Sequence, residues 1–102
     1  MPALPADVLA HSLSSASQIL KLMANEQRLL ILCHLSNGEK NVGELTALLG
    51  LNQSATSQHL QKLRLEGVLT TRRAAQSIYY RLADKCVSDI MAVLCYHYGP
   101  KP

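Results

Sequence analysis

Apolar and polar positions alternate with the spacing of α-helices over most of the chain. A first apolar set lies near the N-terminus: Leu9, Leu13, Ala16, Leu20 and Met23. Their intervals of three and four residues predict a first helix over roughly 7–23. Asn25 is a suitable N-cap for a second helix, EQRLLILCHL, which is expected to end at the turn signal Asn37-Gly38.

The next stretch has the signals of two short helices in close succession. Asn41 is followed three residues later by Glu44, a variant of the capping box that opens a short third helix. Gly50 supplies a left-handed residue to end that helix, and Asn52 can cap the next one. Two short helices joined by a turn of about three residues are typical of a helix-turn-helix, predicted here over 41–66.

The helix that follows Asn52 has two different faces. One is predicted to pack inward: Thr56, Leu60 and Leu63. The other carries small or flexible hydrogen-bonding groups: Ser54, Ser57, Gln58 and Gln61. Phosphates would repel carboxylates, whereas serine and glutamine can hydrogen-bond to base edges or to the backbone in the major groove. The second face therefore suits insertion into a DNA groove, and an ordinary polar helix surface is the alternative.

After Gly67 the period changes from helix to strand. VLTTRR and SIYYRL are β-branched or aromatic runs joined by Ala74, Ala75 and Gln76, which predicts a hairpin over 68–82. In the second run one set alternates inward, Ile78, Tyr80 and Leu82, and the other outward, Ser77, Tyr79 and Arg81. Arg72 and Arg73 lie next to the turn, where a projecting hairpin can reach phosphates or the minor groove. The predicted fold class is mainly α with a small β-hairpin: a winged helix-turn-helix of about five helices and a two-stranded wing.

A last helix is predicted over 84–98. Its apolar stripe consists of Val87, Ile90, Met91, Leu94 and Tyr98. A domain this small has limited room to bury this stripe and that of helix 7–23, so both helices are expected to pair between two chains. A two-fold dimer would place two reading helices on successive half-sites of an inverted repeat. The alternative is that both helices complete the core of a monomer.

Length and charge agree with one DNA-binding domain. The 102 residues are expected to form a single domain over 1–102. Residues 45–83 hold five basic residues and one acid, a net charge of +4, while the remainder holds five basic and six acidic residues, a net charge of −1. A basic segment on a nearly neutral scaffold is the distribution expected of a protein that meets phosphate.

The remaining composition narrows the setting. No segment approaches the ~18 apolar residues of a membrane span, and the start, MPALPADVLA, lacks the basic stretch of a signal peptide. The protein is therefore expected in the cytoplasm, without a membrane partner. Three cysteines without a secretory signal argue against a disulfide framework, so any role they have is expected as thiols.

At this point the chain resembles the ArsR/SmtB family of small bacterial winged-helix repressors. The resemblance is carried by LKLMANEQRLLILCHL, VGELTALLGLNQSATSQHLQKLRLEGVL and TRRAAQSIYYRL. The most specific signal is S-x-x-S-x-H-L-x-x-L-x-x-x-G, which runs from Ser54 to Gly67. Within this family, the sequence most resembles the branch that contains HlyU, NolR and BigR. The resemblance implies a homodimeric repressor that leaves its operator when an inducer is sensed.

Double-stranded operator DNA, in an inverted repeat, and a second copy of the chain are the expected partners. The residues expected to contact DNA are Gln53, Ser54, Ser57, Gln58, His59, Gln61, Lys62, Arg64, Arg72, Arg73 and Gln76.

The resemblance leaves three possibilities for the inducer. The cysteine pair that many relatives use on the third helix is excluded, because NVGELTALLG contains no cysteine. A last-helix metal site would correspond to Asp84, Cys86 and His97, with Pro100 where relatives place a glutamate, and two such partial sets would face each other across a dimer. No cofactor is required and no metal site is assigned, but a zinc-responsive repressor stays an alternative. A repressor without inducer is another.

The preferred sensor is a thiol pair. Cys33 matches the cysteine that thiol-sensing relatives carry on the second helix. Their second cysteine aligns with Gly99, and Cys95 lies one turn earlier on a similar face. A disulfide needs Cα atoms about 4.4 to 6.8 Å apart, and a longer polysulfide link relaxes that requirement. The expected redox switch is therefore Cys33 with Cys95, against the alternative of a small core residue and an interface residue.

Catalysis is not expected. Ser57 and His59 lie two residues apart on a helix and point in different directions, so they do not form a nucleophile and its base. The sequence has neither a glycine-rich phosphate loop nor paired carboxylates on one face. A dimerisation module without DNA is the rival of another class, and it differs in that its association should not weaken steeply with salt.

Overall fold

A computed structural model describes residues 5–99 of the chain. Over these residues the helices are α1 (Ala6–Met23), α2 (Glu26–Leu35), α3 (Val42–Leu49), α4 (Gln53–Leu65) and α5 (Lys85–Tyr98). The strands are β1 (Lys40–Asn41), β2 (Leu69–Ala74) and β3 (Ser77–Leu82). No helix in 5–99 combines the length and the apolar character that crossing a bilayer requires.

The starts of α2, α3 and α4 are set by side-chain caps that the sequence predicted. The Asn25 side chain accepts a hydrogen bond from the Arg28 amide at 3.0 Å, and that of Asn52 accepts one from the Ala55 amide at 2.7 Å. At α3 the capping box is complete in both directions, since Asn41 and Glu44 each bond the other's backbone amide. These bonds satisfy amides that the first turn of a helix leaves without partners.

The end of α4 is fixed by Gly67. Its φ is 79°, a left-handed conformation that a glycine adopts without a Cβ clash. The Gly67 amide bonds the Arg64 carbonyl and the Val68 amide bonds the Leu63 carbonyl, both at 3.0 Å, which is the Schellman pattern. Leu63 and Val68 are both fully buried. The turn therefore leads the chain from α4 into the sheet while keeping it on the core.

The core lies between α2, α3, α4, the inner sides of α5 and of the sheet, and the end of α1. Its buried apolar side chains are Leu22, Met23, Ile31, Leu32, Leu35, Leu45, Leu60, Leu63, Val68, Leu69, Val87 and Met91. The predicted inward face of α4 is confirmed, since Thr56, Leu60 and Leu63 are fully buried and the Thr56 hydroxyl bonds the Asn52 carbonyl. Because this face of α4 is buried, the opposite face of the helix is held toward solvent.

The sheet has three strands, where the sequence analysis predicted two. Its order is β1-β3-β2, and all pairs are antiparallel. Lys40 and Asn41 form β1 by pairing with Tyr80 and Tyr79. A polar strand of two residues has no detectable alternation, which is why the pattern missed it. The short strand anchors the wing beside the first residue of α3.

The tip of the wing departs from the predicted alternation. Tyr80 and Leu82 pack against the core as expected, but Ile78 is exposed and the prediction of an inward Ile78 is wrong. Ile78 pairs with Arg73 near the turn, where the hairpin extends beyond the core. Both faces of a projecting hairpin meet solvent, so alternation does not report burial there.

Candidate DNA-binding surface and cysteine pair

The polar face of α4 forms one continuous surface. Ser54, Ser57, Gln58 and Gln61, called the reading face from here on, are all exposed. They line a shallow hollow of about 660 Å³ together with Lys62, Leu65 and Tyr80. The hollow contains amides, hydroxyls and one cation and no carboxylate. Such a set can donate to and accept from base edges while attracting the phosphates on either side.

The other α4 residues expected at DNA fall into two places. Gln53 and Arg64 are exposed, and Lys62 lies at the edge of the hollow. His59 is half-buried on another side of the helix and does not line the hollow. Burial lowers the pKa of His59, and the positive charges of Arg28 and Lys62 lower it further. His59 therefore belongs to the region between α2 and α4.

That region holds two cations, Lys21 and Arg28, that the sequence did not place near α4. Lys21, Arg28 and Lys62, with Gln18, Leu22 and Glu66, line a pocket of about 320 Å³. The Arg28 Nε also donates to the Leu22 carbonyl at 2.6 Å, which ties α2 to the end of α1. Lys21 and Arg28 were counted with the neutral scaffold because they precede the helix-turn-helix in sequence. Only the packing of α1 and α2 against α4 brings them beside Lys62.

The two wing arginines have different surroundings. Arg72 donates from Nε to the Glu39 carboxylate and lies 4.8 Å from the centroid of the Tyr79 ring. Arg73 is exposed. The ion pairs within residues 5–99 are Arg72–Glu39 and Lys85–Asp89, so Arg73 takes part in neither. Gln76 is exposed in the turn between β2 and β3. Of the two arginines on β2, Arg73 is thus the one that meets solvent without an ion pair among the described residues.

Cys33 and Cys95 are brought together from α2 and α5. Their Sγ atoms are 3.9 Å apart, an S–H···S contact in which either thiol can donate. Both side chains are half-buried and free. Burial raises the pKa of the Cys33 thiol, and the hydrogen bond to Cys95 raises it further. Cys95 lies one helical turn before the position of Gly99, and this offset does not keep its sulfur away from that of Cys33.

The cysteine pair lies in an apolar groove. The groove has a volume of about 810 Å³. Its apolar lining includes Leu29, Leu30, Met91, Leu94 and Tyr98. Small reagents can reach the two thiols through this opening, while the surrounding side chains offer few charges to bind an ion.

The residues of the alternative metal site do not meet within the chain. Asp84 caps α5 by accepting from the Val87 amide at 2.9 Å, while Cys86 and His97 are exposed. Asp84 and His97 lie at opposite ends of α5, roughly 20 Å apart at 1.5 Å per residue. The described part of the chain holds no group of three or more His, Cys, Asp or Glu side chains placed to share a metal ion. Pro100, at the fourth position of that set, lies outside the described residues.

Two helices present apolar side chains to solvent. On α1 they are Val8, Leu9, Leu13 and Leu20, and on α5 they are Val93, Tyr96 and Tyr98. The inner part of the predicted α5 stripe is covered, because Val87 and Met91 are buried, whereas Tyr98 is 85% exposed. The C-terminal part of α1 reaches the core, where Leu22 and Met23 are buried and Ile19 packs against it.

Part of the chain matches a known protein family. Residues 25–71 match the family described as "Bacterial regulatory protein, arsR family". The match begins at the cap of α2 and ends within β2, so it includes both helices of the helix-turn-helix.

Individual proteins match over most of the chain. Transcriptional activator HlyU of Vibrio cholerae is 47% identical over 81 residues, which are 79% of this chain and 75% of that protein. The HTH-type transcriptional regulator YgaV of Escherichia coli is 44% identical over 93 residues, 90% of this chain and 94% of that protein.

Solved structures share the architecture. Reduced HlyU from Vibrio cholerae superposes with a TM-score of 0.87 at 42% identity, covering 90% of this chain and 97% of that one. The homodimeric winged helix-turn-helix DNA-binding domain Mb0332 from Mycobacterium bovis superposes with a TM-score of 0.77 at 31% identity, covering 94% and 89%.

Proposed function

The chain belongs to the ArsR/SmtB family and is a DNA-binding transcriptional regulator, and from this premise we propose that it is a homodimeric repressor switched by its thiols. In the reduced state it binds an operator, and oxidation or persulfidation of Cys33 and Cys95 releases it. The observation that carries the proposal is the 3.9 Å separation of the two sulfurs. A disulfide places its sulfurs about 2.05 Å apart, so linking them requires a relative movement of nearly 2 Å.

A persulfide can link the two thiols in two steps. One cysteine thiolate attacks the outer sulfur of a persulfide RSSH, forming a protein persulfide and releasing the thiol RSH. The second cysteine then attacks the protein sulfur of that persulfide, which forms the S–S bond and releases H₂S. The protein loses two electrons and two protons in total, and the persulfide sulfur is reduced. Further sulfur donation before closure would give a longer polysulfide link.

The disulfide or polysulfide link between Cys33 and Cys95 would join two helices that have different roles. Cys33 lies on α2, which packs directly against α3 and α4, and Cys95 lies on α5. Drawing α5 toward α2 changes the position of α5 relative to the reading face. If α5 forms part of a dimer interface, the same movement alters the separation of the two reading faces. A coupling of about 1 to 3 kcal/mol between the two sites corresponds to a 5- to 150-fold change in operator affinity.

The exposed apolar stripe supports the dimer. Leu13 and Leu20 on α1 are each more than half exposed, although they lie on one face of an 18-residue helix. A contiguous apolar surface of this kind is typical of a protein interface. Mb0332, which shares the fold, is described as homodimeric. A two-fold dimer through α1 and α5 presents two reading faces to an inverted repeat.

Operator binding before and after thiol chemistry tests the proposal. Fluorescence anisotropy would follow the reduced, metal-free protein on duplex DNA from upstream of its own gene, then the same sample after a persulfide donor. We expect operator affinity to fall on the order of 10- to 100-fold and to recover with dithiothreitol. Mass spectrometry should locate the link between Cys33 and Cys95.

Single serine variants identify the thiols responsible. Cys33→Ser and Cys95→Ser should each bind DNA as the parent does and lose the response to the donor. Cys86→Ser is the matched control, because Cys86 is exposed on the same helix as Cys95 and should leave the response intact. A response that survives in Cys33→Ser, or that disappears in Cys86→Ser, would contradict the proposed pair.

A further inference from the structure

A side-chain ion pair adds to the β1–β3 pairing that holds the wing to the rest of the domain. The Arg72 Nε lies 2.7 Å and 2.9 Å from the two carboxylate oxygens of Glu39, and its Nη2 also donates to Oε1. The guanidinium rests over the Tyr79 ring. Three donor contacts and the aromatic ring beneath it fix the orientation of the Arg72 side chain, whereas a solvated arginine has no fixed orientation.

The contact spans all three strands of the sheet. Arg72 on β2 is in register with Tyr79 on β3, and Tyr79 is in register with Asn41 on β1. Glu39 immediately precedes β1. The Arg72 side chain therefore crosses over β3 and reaches the segment that leads into β1.

That segment also starts the helix-turn-helix. Asn41 forms the capping box that opens α3, one residue after the first residue of β1. Lys40, next to Glu39, donates to the His34 carbonyl at 3.2 Å and holds the segment to the end of α2. A contact between Glu39 and Arg72 thus links the position of the wing to the start of α3.

The charges at this contact are already balanced. The bond from Arg72 and the positive charges of Arg72 and Arg81 lower the pKa of Glu39, so its carboxylate stays ionised at neutral pH. An approaching phosphate would compete with this carboxylate for Arg72 and would be repelled by it. Arg73, one residue closer to the turn, has no such competitor among the described residues.

We propose that Arg72 and Glu39 are a positioning pair that sets the wing relative to the reading face, and that Arg73 alone is the phosphate contact of β2. This inference rests on the DNA-binding function and replaces the expectation that both arginines contact phosphate. An exposed ion pair adds little to global stability, so its effect is expected in the geometry of the bound complex. Loss of the pair lets the wing vary in angle, which weakens binding to the operator more than to unrelated DNA.

The test compares four variants of the reduced full-length protein: Glu39→Gln, Arg72→Gln, their double variant, and Arg73→Gln as the matched control. Each is titrated by anisotropy on the operator duplex and on a scrambled duplex of equal length, over roughly 50 to 200 mM salt. Arg73→Gln should weaken binding to both duplexes equally and reduce the salt slope by about one unit.

Glu39→Gln and Arg72→Gln should behave alike if they form a positioning pair. We expect each to leave the salt slope unchanged and to lower the ratio of operator to scrambled affinity about 3- to 30-fold, with the double variant no worse than either single variant. Tighter binding of Glu39→Gln to both duplexes, together with a slope reduced by one in Arg72→Gln, would make Arg72 a phosphate contact and overturn the inference. Unchanged operator affinity in both would overturn it as well.

A charge swap guards against a folding artefact. Glu39→Arg combined with Arg72→Glu restores an ion pair between the same positions and should recover part of the affinity ratio lost in the single variants. If Arg72 touched phosphate, the swap would instead be the weakest binder of all. All measurements use reduced protein, so failure of the thiol switch leaves them unaffected. A parent protein that bound neither duplex would contradict DNA binding itself.

Discussion

Gln58 lies in the middle of the reading face and has the side chain best suited to an adenine edge. Its amide can donate and accept at once, and no described side chain bonds to it in the free protein. We expect Gln58→Ala or Ser57→Ala to weaken operator binding by about 1 to 3 kcal/mol at a base-contact position. Anisotropy on the operator and on a scrambled duplex measures this. Both side chains are exposed, so thermal unfolding should not change. Unaltered operator affinity in both variants would remove α4 from base recognition.

His59 gives the domain a pH dependence whose sign follows from its lowered pKa. Burial, Arg28 and Lys62 favour the neutral imidazole in the folded state. The unfolded chain therefore binds more protons just below the ordinary histidine pKa, and the free energy of unfolding falls as the pH falls. The contribution is complete above the unfolded pKa of about 6.5 and is lost as the pH drops toward the folded value.

Urea unfolding of the parent and of His59→Gln between about pH 7.5 and pH 5 measures this contribution. The parent should lose more stability across the interval than the variant, which keeps polar character without a titrating ring. Equal losses in the two proteins would mean that His59 is solvated in solution and titrates as it does in the unfolded chain.

Residue roles that depend on helical spacing were predictable, and those that depend on tertiary neighbours were not. Thr56 and Leu60 are buried because they share one face of α4, which the sequence displays directly. The partner of Arg72 is 33 residues away and is reached only through the register of three strands. The sequence likewise could not decide whether Cys33 and Cys95 meet, since they are 62 positions apart and only the packing of α5 on α2 brings them together.

At the scale of elements, the wing turn contains a backbone conformation that its residue does not favour. Ala74 pairs with Ser77, which leaves Ala75 and Gln76 as a two-residue turn, and Ala75 has a φ of 55°. An L side chain at such a φ costs roughly 1 to 2 kcal/mol, and glycine avoids that cost. Two-residue hairpins need positive φ in the turn because it matches the twist of the strands.

We therefore expect Ala75→Gly to raise the free energy of unfolding by about 1 kcal/mol, after the added freedom of the unfolded chain is deducted. Gln76→Gly is the matched control. Gln76 is not among the residues with positive φ, so glycine there should lower stability by about 0.5 to 1 kcal/mol. Urea midpoints measure both variants. A loss of stability in both would show that Ala75 is not strained.

Element boundaries were predictable because their signals are local. Asn41 and Asn52 cap helices through side chains that reach only three residues along the chain. The strand β1 was not predicted, because Lys40 and Asn41 become a strand only by pairing with Tyr80 and Tyr79, about forty residues later. The inward expectation for Ile78 failed for a related reason, since alternation fixes the side of the strand but not whether anything covers that side.

For the whole molecule, the dimensions agree with a chain whose packing is incomplete. The radius of gyration is 15.3 Å and the extents are 49 × 33 × 21 Å, whereas a compact domain of this length has a radius near 13 Å. α1 extends from the core that its last turn joins, and most of its apolar side chains remain exposed. The sequence indicated that a core this small has limited room to bury the apolar faces of both end helices. It could not show which turns would remain uncovered.

A substitution at Leu13 tests the proposed dimer without disturbing the fold of the monomer, because Leu13 is 58% exposed and contributes nothing to the described core. Leu13→Glu should leave the helical circular dichroism unchanged and convert the protein from dimer to monomer in sedimentation velocity. Two-fold symmetry would bury the new carboxylate twice in one apolar interface, at a cost of several kcal/mol. Operator affinity should fall with the dimer, since one reading face then binds one half-site. Leu48→Glu, 49% exposed on α3, is the control and should sediment as the parent does. A dimer that survives Leu13→Glu would move the interface off α1.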